Sequence, residues 1–219
     1  MDDAWIVEKL QPMIAPRRLE RIEAAIAHRT YGMTVVLETL YDAGNMAAIM
    51  RTCEGLGVQR VNMLSIGAFK SERKITQGAH KWLDVHRYRD PQTCVQELRD
   101  EGYQIVATHF DETAVSIHEI DFTRKTAVIF GNEREGVSPE LVKLADRCMV
   151  IPMCGFVQSF NVSVAAAMTL QHALRERRDV LGQTGDLSEE EKQRLRSRFF
   201  RRSVRYSDLI LKKQRSHNS

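Results

Sequence analysis

The chain has 219 residues, 43% hydrophobic and 28% charged, with a net charge of +3, which is enough to bury one α/β core and leave residues over at both ends. No apolar run approaches the roughly 18 to 20 residues of a membrane span. The start Met1-Asp2-Asp3-Ala4-Trp5 lacks the basic and apolar regions of a secretory signal, so the expectation is no membrane partner and a cytoplasmic protein; an organelle protein freed of its transit peptide fits the same start.

Trp5 to Arg29 reads as helical, with Leu19, Ile22, Ala25 and Ile26 on one side, Arg17, Arg18, Arg21 and Arg29 on others, and Pro12 and Pro16 dividing it. Met33 to Leu40 is the first strand, rich in β-branched residues. Tyr41 to Asn45 is a turn, Asn45 is the expected helix cap, and the helix from Met46 to Gly57 carries Arg51 six residues beyond it. By itself that pair reads as a cap and a surface arginine.

Val61 to Ile66 is a second strand, followed by a long loop from Gly67 to Trp82 holding Lys70, Arg73, Lys74, Gln77, His80 and Lys81. Basic residues beside an aromatic suit an RNA backbone, although a solvated loop has the same composition. A short strand spans Asp84 to Tyr88, a helix opens at Pro91 and closes at Gly102, and Tyr103 to His109 is a further strand whose end is Thr108-His109. Strands alternating with helices predict a parallel sheet with right-handed crossovers.

Ala127 to Phe130 is an apolar strand that breaks at Gly131 and releases Asn132, Glu133, Arg134 and Glu135 before a helix from Pro139 to Ala145 capped by Ser138. Met149 to Ile151 stops at Pro152, and a glycine-bearing loop then delivers Ser159 and Asn161 where an alanine-rich helix must begin. In open α/β sheets ligands sit beyond the carboxyl ends of strands, so these two loops are the candidate site.

The helix from about Asn161 reaches about Arg178, with Arg175, Arg177 and Arg178 as cations favoured by the dipole at its end. Gly182 to Gly185 is a linker. Ser188 to Glu191 opens a last helix in capping style, on which Phe199 and Phe200 are expected to dock while the arginines face out. Lys192 to Ser219 holds ten Lys or Arg against Asp208, so this tail carries +9 and the rest of the chain −6. Cys53, Cys94, Cys148 and Cys154 form neither a CxxC pair nor a histidine-matched cluster; the expectation is reduced, mostly buried thiols and a mechanism without metal.

Three stretches then fall into order: Glu38 to Val58 with Asn45 and Arg51, Phe130 to Ser138 with Gly131-Asn132-Glu133, and Ile151 to Leu170 with Ser159-Phe160-Asn161. Together they resemble the three motifs of the SpoU family of RNA 2'-O-ribose methyltransferases, and residues from about 15 to 178 resemble its TrmH branch, which acts on tRNA guanosine. The resemblance implies a SPOUT fold: a parallel α/β sheet over 31–178, a deep trefoil knot over about 127–178, helical extensions at 1–30 and 186–215 that bind tRNA, and a homodimer. It implies S-adenosylmethionine as methyl donor, contacted at Thr108, Gly131, Ile151 and Phe160, the last at a position where the family usually has leucine.

The implied reaction is methyl transfer to a ribose 2'-hydroxyl, with the guanosine at position eighteen of tRNA as the first expectation. Ribosomal RNA, another tRNA position, or a non-catalytic knotted RNA-binding module are the alternatives. The resemblance gives Arg51, supported by Asn45, the task of readying the hydroxyl, and implies that Glu133, Ser159 and Asn161 shape the active loop and position the ribose. Arg51 is either the base itself, assisted by the substrate phosphate, or a group that fixes that phosphate while the phosphate or a water takes the proton, since guanidinium stays protonated in proteins.

Overall fold

The structure is a computed structural model, which describes residues 2–40, 42–65, 78–183 and 185–216. Lys70, Arg73, Lys74 and Gln77, the basic loop of the sequence reading, lie outside the described residues, as does Tyr41. The described chain divides into two compact units, one of residues 30–184 and one of 1–29 with 185–219.

Among the described residues the larger unit holds seven strands: β1 (Thr30–Glu38), β2 (Val58–Leu64), β3 (Asp84–Tyr88), β4 (Gln104–Thr108), β5 (Val115–Ser116), β6 (Thr126–Phe130) and β7 (Arg147–Val150). They form one sheet in the order β3-β2-β1-β6-β4-β7-β5, every pair parallel. Alternate residues of β1 enter two cores. Met33, Val35 and Leu37 pack with Ile49, Met50 and Cys53 of α3 (Ala43–Leu56) and with Ala166, Leu170 and Ala173 of α6 (Val162–Leu181). Val36 joins the opposite core, with Val95 and Leu98 of α4 (Pro91–Asp100) and Leu141 of α5 (Pro139–Leu144). Burial on both faces is why the strand sequences run continuously apolar.

Because β6 lies between β1 and β4, the carboxyl ends of β1, β6, β4 and β7 form one rim. Leu37 pairs with Phe130 and Thr108 with Met149 there, so the segments that follow these strands start side by side.

Several local expectations change. Asp42, not Asn45, caps α3: its carboxylate accepts from the Gly44 N–H at 2.8 Å, and Asn45 sits inside the first turn with its side chain turned elsewhere. Arg177 is buried at 8% exposure; it donates to the carbonyls of Phe122, Thr123 and Arg124 at 2.8, 2.9 and 2.9 Å, so besides standing near the helix end it clamps a loop. β5 and the capped 3-10 turn Ile117–Glu119 were invisible in sequence, since two strand residues carry no periodicity. Trp82 is tied down through its carbonyl, which accepts from the Gln59 amide at 2.9 Å.

Cys53, Cys94 and Cys148 are buried and Cys154 is exposed. Burial pushes the Cys94 thiol up to about 12 and raises that of Cys148, where Asp111 adds to the effect, so neither is a thiolate at neutral pH.

In the smaller unit, α1 (Asp3–Leu10) and α2 (Pro16–Ala27) pack with α7 (Glu189–Ser203) and α8 (Ser207–Ser216). Both chain ends therefore fold as one body. Its core includes Leu10, Ile22, Ile26, Leu195, Phe199, Phe200 and Leu211. Arg196 grips Glu23 with two bonds of 2.6 and 2.7 Å, tying α7 to α2. The Ser188 and Glu191 capping box is present. Gly185 is more than a linker: a Cβ there would lie 2.2 Å from the Ala27 carbonyl oxygen. The expected single last helix is two, separated at Val204 to Tyr206, where Val204 is extended and the Ser207 hydroxyl donates to the Arg201 carbonyl at 2.8 Å.

Candidate active site

The site is assembled from the ends of β1, β4, β6 and β7. After β6, Gly131 opens a loop closed on itself: Asn132 and Gly136 exchange two main-chain hydrogen bonds of 3.1 Å, and Gly136 takes the left-handed φ of +71°. The Asn132 carboxamide oxygen accepts from the N–H groups of Arg134 and Glu135 at 2.9 and 2.8 Å, an Asx-type turn. The closure is so tight that a Cβ on residue 131 would lie 1.9 Å from the Gly136 carbonyl carbon. Only glycine fits there.

This turn projects Glu133 toward α3. Glu133 Oε1 accepts from Asn45 Nδ2 at 2.8 Å, and Asn45 Oδ1 accepts from Asn161 Nδ2 at 3.0 Å. Asn161 caps α6, its oxygen accepting from the Ser163 N–H and hydroxyl at 2.9 and 2.6 Å. Each amide is thereby fixed in orientation: its oxygen and nitrogen have different partners that only one rotamer satisfies. One polar chain, Asn161 to Asn45 to Glu133, joins three stretches that are far apart in sequence.

Beside this chain opens a cavity of about 770 Å³, lined by the end of β4, the loop after β6 and the loop after β7. Thr108, Gly131, Glu133, Ile151, Ser159, Phe160 and Asn161 all line it. Thr108 spends its hydroxyl on the Ile129 carbonyl at 2.9 Å, which leaves the cavity its methyl and main chain. Asn45 and Arg51 do not line it; Asn45 reaches its edge through Glu133 and Asn161. Arg51 is an exposed residue of α3, about 9 Å along an ideal helix from Asn45 and turned by about 120°.

Sequence reasoning missed two residues. Asn132 builds the turn, and an asparagine directly after a strand-ending glycine was an available signal. Glu38 gave none. It is 3% exposed at the end of β1, and its Oε2 accepts from the Ser138 N–H at 2.9 Å, anchoring the far end of the loop whose tip Asn45 holds. Glu38→Ala strands the Ser138 donor and is expected to cost about 1–3 kcal/mol, seen as a fall of roughly 2–12 °C in the unfolding midpoint, whereas Glu38→Gln keeps an acceptor and most of the stability. Equal losses in both variants would remove this role.

The volume falls within the roughly 300–1,000 Å³ of small-molecule and cofactor sites. Phe130, Met149, Ile151 and Phe160 give it apolar walls beside the main-chain groups of two irregular loops, which suits a flat heterocycle with a polar tail. Among the described residues no cluster of His, Cys, Asp or Glu could hold a metal ion.

Fold and site together define a parallel α/β protein of the cofactor-binding kind, with a ligand cavity at the carboxyl rim of its sheet and a carboxylate-ended polar chain along one edge. The chain belongs to the SpoU rRNA Methylase family, whose model matches residues 32–171. It is 34% identical over 210 residues to the tRNA (guanosine(18)-2'-O)-methyltransferase of Aquifex aeolicus, covering 94% of this chain and 97% of that one. The crystal structure of the A. aeolicus TrmH/SpoU tRNA modifying enzyme matches with a TM-score of 0.77 and 36% identity over 86% of this chain and 98% of that one. The SpoU methyltransferase AviRb from Streptomyces viridochromogenes, in complex with AdoMet, matches with a TM-score of 0.60 and 28% identity over 70% of this chain and 61% of that one.

Proposed function

We propose that this chain is an S-adenosylmethionine-dependent methyltransferase acting on the ribose 2'-hydroxyl of the guanosine at position eighteen of tRNA. The observation that carries the reading is the Asn161, Asn45, Glu133 chain at the edge of the cavity, because it fixes a carboxylate and two amides where a sugar would have to be held. The extent of similarity to the Aquifex enzyme, nearly end to end in both chains, selects tRNA and position eighteen.

When bound, S-adenosylmethionine supplies a methyl group activated by its sulfonium. The residues that would hold it are Gly131, Ile151 and Phe160, through main-chain groups and apolar contact, with Thr108 closing one side. The protein's own task is to place the sugar oxygen and relieve it of its proton, since a ribose hydroxyl is a poor nucleophile at neutral pH. Asn45 and Asn161 hold Glu133 in one position, and Ser159 on the cavity wall orients the ribose with them.

Arg51 fixes the substrate phosphate through its guanidinium, and that phosphate or a water takes the proton. The place of Arg51 on α3, about 9 Å along the helix from Asn45 and turned by about 120°, favours a homodimer in which one subunit's Arg51 completes its partner's site. Val164 and Met168, exposed one turn apart on α6, supply apolar surface for such a pairing. The membership of the chain in the SpoU family is what supports a trefoil knot over about 127–178. The extensions 1–30 and 186–215 are assigned to tRNA binding through their arginines.

Methyl-labelled S-adenosylmethionine offered with unmodified tRNA transcript or with ribosomal RNA tests the substrate class. Label in tRNA alone is expected. Label in ribosomal RNA alone, or in neither, would end this reading.

A further inference from the structure

The corner between α7 and α8 carries an aromatic residue that the turn itself does not need. Tyr206 has φ +59°, in the left-handed region that disfavours any side chain and a bulky one most. Glycine or asparagine would make this turn with less strain. Strained backbone of this kind persists where the side chain has a task. The ring gains no burial in exchange, since Tyr206 is 62% exposed.

It is nevertheless held in place. The Arg205 guanidinium lies over the ring, its Cζ 4.8 Å from the centroid, and Arg205 also donates to the Tyr206 hydroxyl at 2.9 Å. Arg202 and Lys212 are exposed nearby in sequence, within a segment of net charge +9. The one acid, Asp208, is paired with Arg201 at 3.6 Å. Leu209, one turn into α8, is 66% exposed and extends the apolar surface.

We propose that Tyr206, braced by Arg205, is a stacking platform for an unpaired nucleobase of the RNA substrate. An exposed π-face and a guanidinium plane set in a basic surface match the two parts of an unpaired nucleotide, its base and its phosphate. The surrounding phosphate contacts supply affinity but read no particular nucleotide. Stacking adds a contact that only a base free of its helix can make. The inference rests on the reading of this chain as an RNA-modifying enzyme and adds a second point of engagement, in the terminal unit.

The test is equilibrium binding of the full-length protein to an unmodified tRNA transcript over a series of salt concentrations. Tyr206→Ala and Tyr206→Gly are expected to weaken binding by about 5- to 100-fold, with the slope of log affinity against log salt unchanged because no phosphate contact is lost. Tyr206→Phe keeps the ring and is expected to stay within about threefold of wild type. Arg205→Ala should weaken binding and also lower the slope, by about one. Tyr206→Gly relieves the backbone, so its unfolding midpoint should not fall, and S-adenosylmethionine affinity should match wild type in every variant.

Tyr206→Gly binding tRNA as wild type does, or Tyr206→Phe as weak as Tyr206→Ala, would overturn the platform. Methyl transfer by the wild type, measured in parallel, keeps the two readings apart. An active enzyme indifferent at Tyr206 refutes the platform alone, and an inactive protein that still loses tRNA affinity in Tyr206→Gly refutes the methyltransferase reading alone.

Discussion

Arg51→Ala is expected to lower methyl transfer by on the order of 100- to 10,000-fold while leaving S-adenosylmethionine affinity within about twofold. The separation follows from geometry: Arg51 does not line the cavity, so its loss leaves the wall intact. The complementary variant is Asn45→Ala, which breaks the polar chain at its middle by removing both the bond to Glu133 and the bond from Asn161. If Arg51 serves the partner's site, mixing and re-pairing these two inactive proteins should restore up to about a quarter of wild-type activity, because half of the dimers are mixed and each has one complete site. No restoration would place Arg51 and Asn45 in the same site. Full activity of Arg51→Ala alone would remove the residue from the mechanism.

Gly131→Ala has the other large effect. The added methyl would meet the Gly136 carbonyl carbon, its oxygen and the Val137 nitrogen at 1.9, 2.0 and 2.1 Å, and all three are backbone atoms that cannot swing aside. The turn must open, which breaks the Asn132 and Gly136 pairing and withdraws Glu133 from Asn45. Overpacking and three lost hydrogen bonds together amount to about 3 kcal/mol or more, so S-adenosylmethionine affinity should fall at least about 100-fold. Gly155→Ala, in the facing loop, meets nothing within 4 Å and should bind nearly as wild type. Calorimetric titration of both variants decides it. Undiminished binding by Gly131→Ala would show that the closed turn is not part of the pocket.

Much of the fold was legible because its determinants are local. Apolar runs marked the core strands, Pro91, Pro139 and Ser138 marked helix starts, and the Ser188 and Glu191 box marked α7. The two loops that line the cavity were found because each follows a strand that breaks at glycine or proline and releases polar residues. What escaped was determined by partners distant in the chain. Asn45 looked like a cap because asparagine favours that role, but Asp42 three residues earlier takes it, which leaves Asn45 to bridge residues 88 and 116 positions away. Arg177 looked like a helix-end cation held by the dipole alone until the carbonyls of Phe122 to Arg124 met it. The burial of Glu38 depends on a backbone N–H a hundred residues on. The basic ends also read as separate tails, and the bond from Arg196 to Glu23 that joins them spans 173 residues.

The most direct measurement uses two tRNA transcripts identical except that one carries 2'-deoxyguanosine at position eighteen. Each is incubated with the protein and methyl-labelled S-adenosylmethionine, and the labelled nucleotide is mapped. The expected result is one 2'-O-methyl group on guanosine eighteen of the ordinary transcript and no label on the deoxy transcript. Equal labelling of both, or a methyl group on a base, would contradict the account.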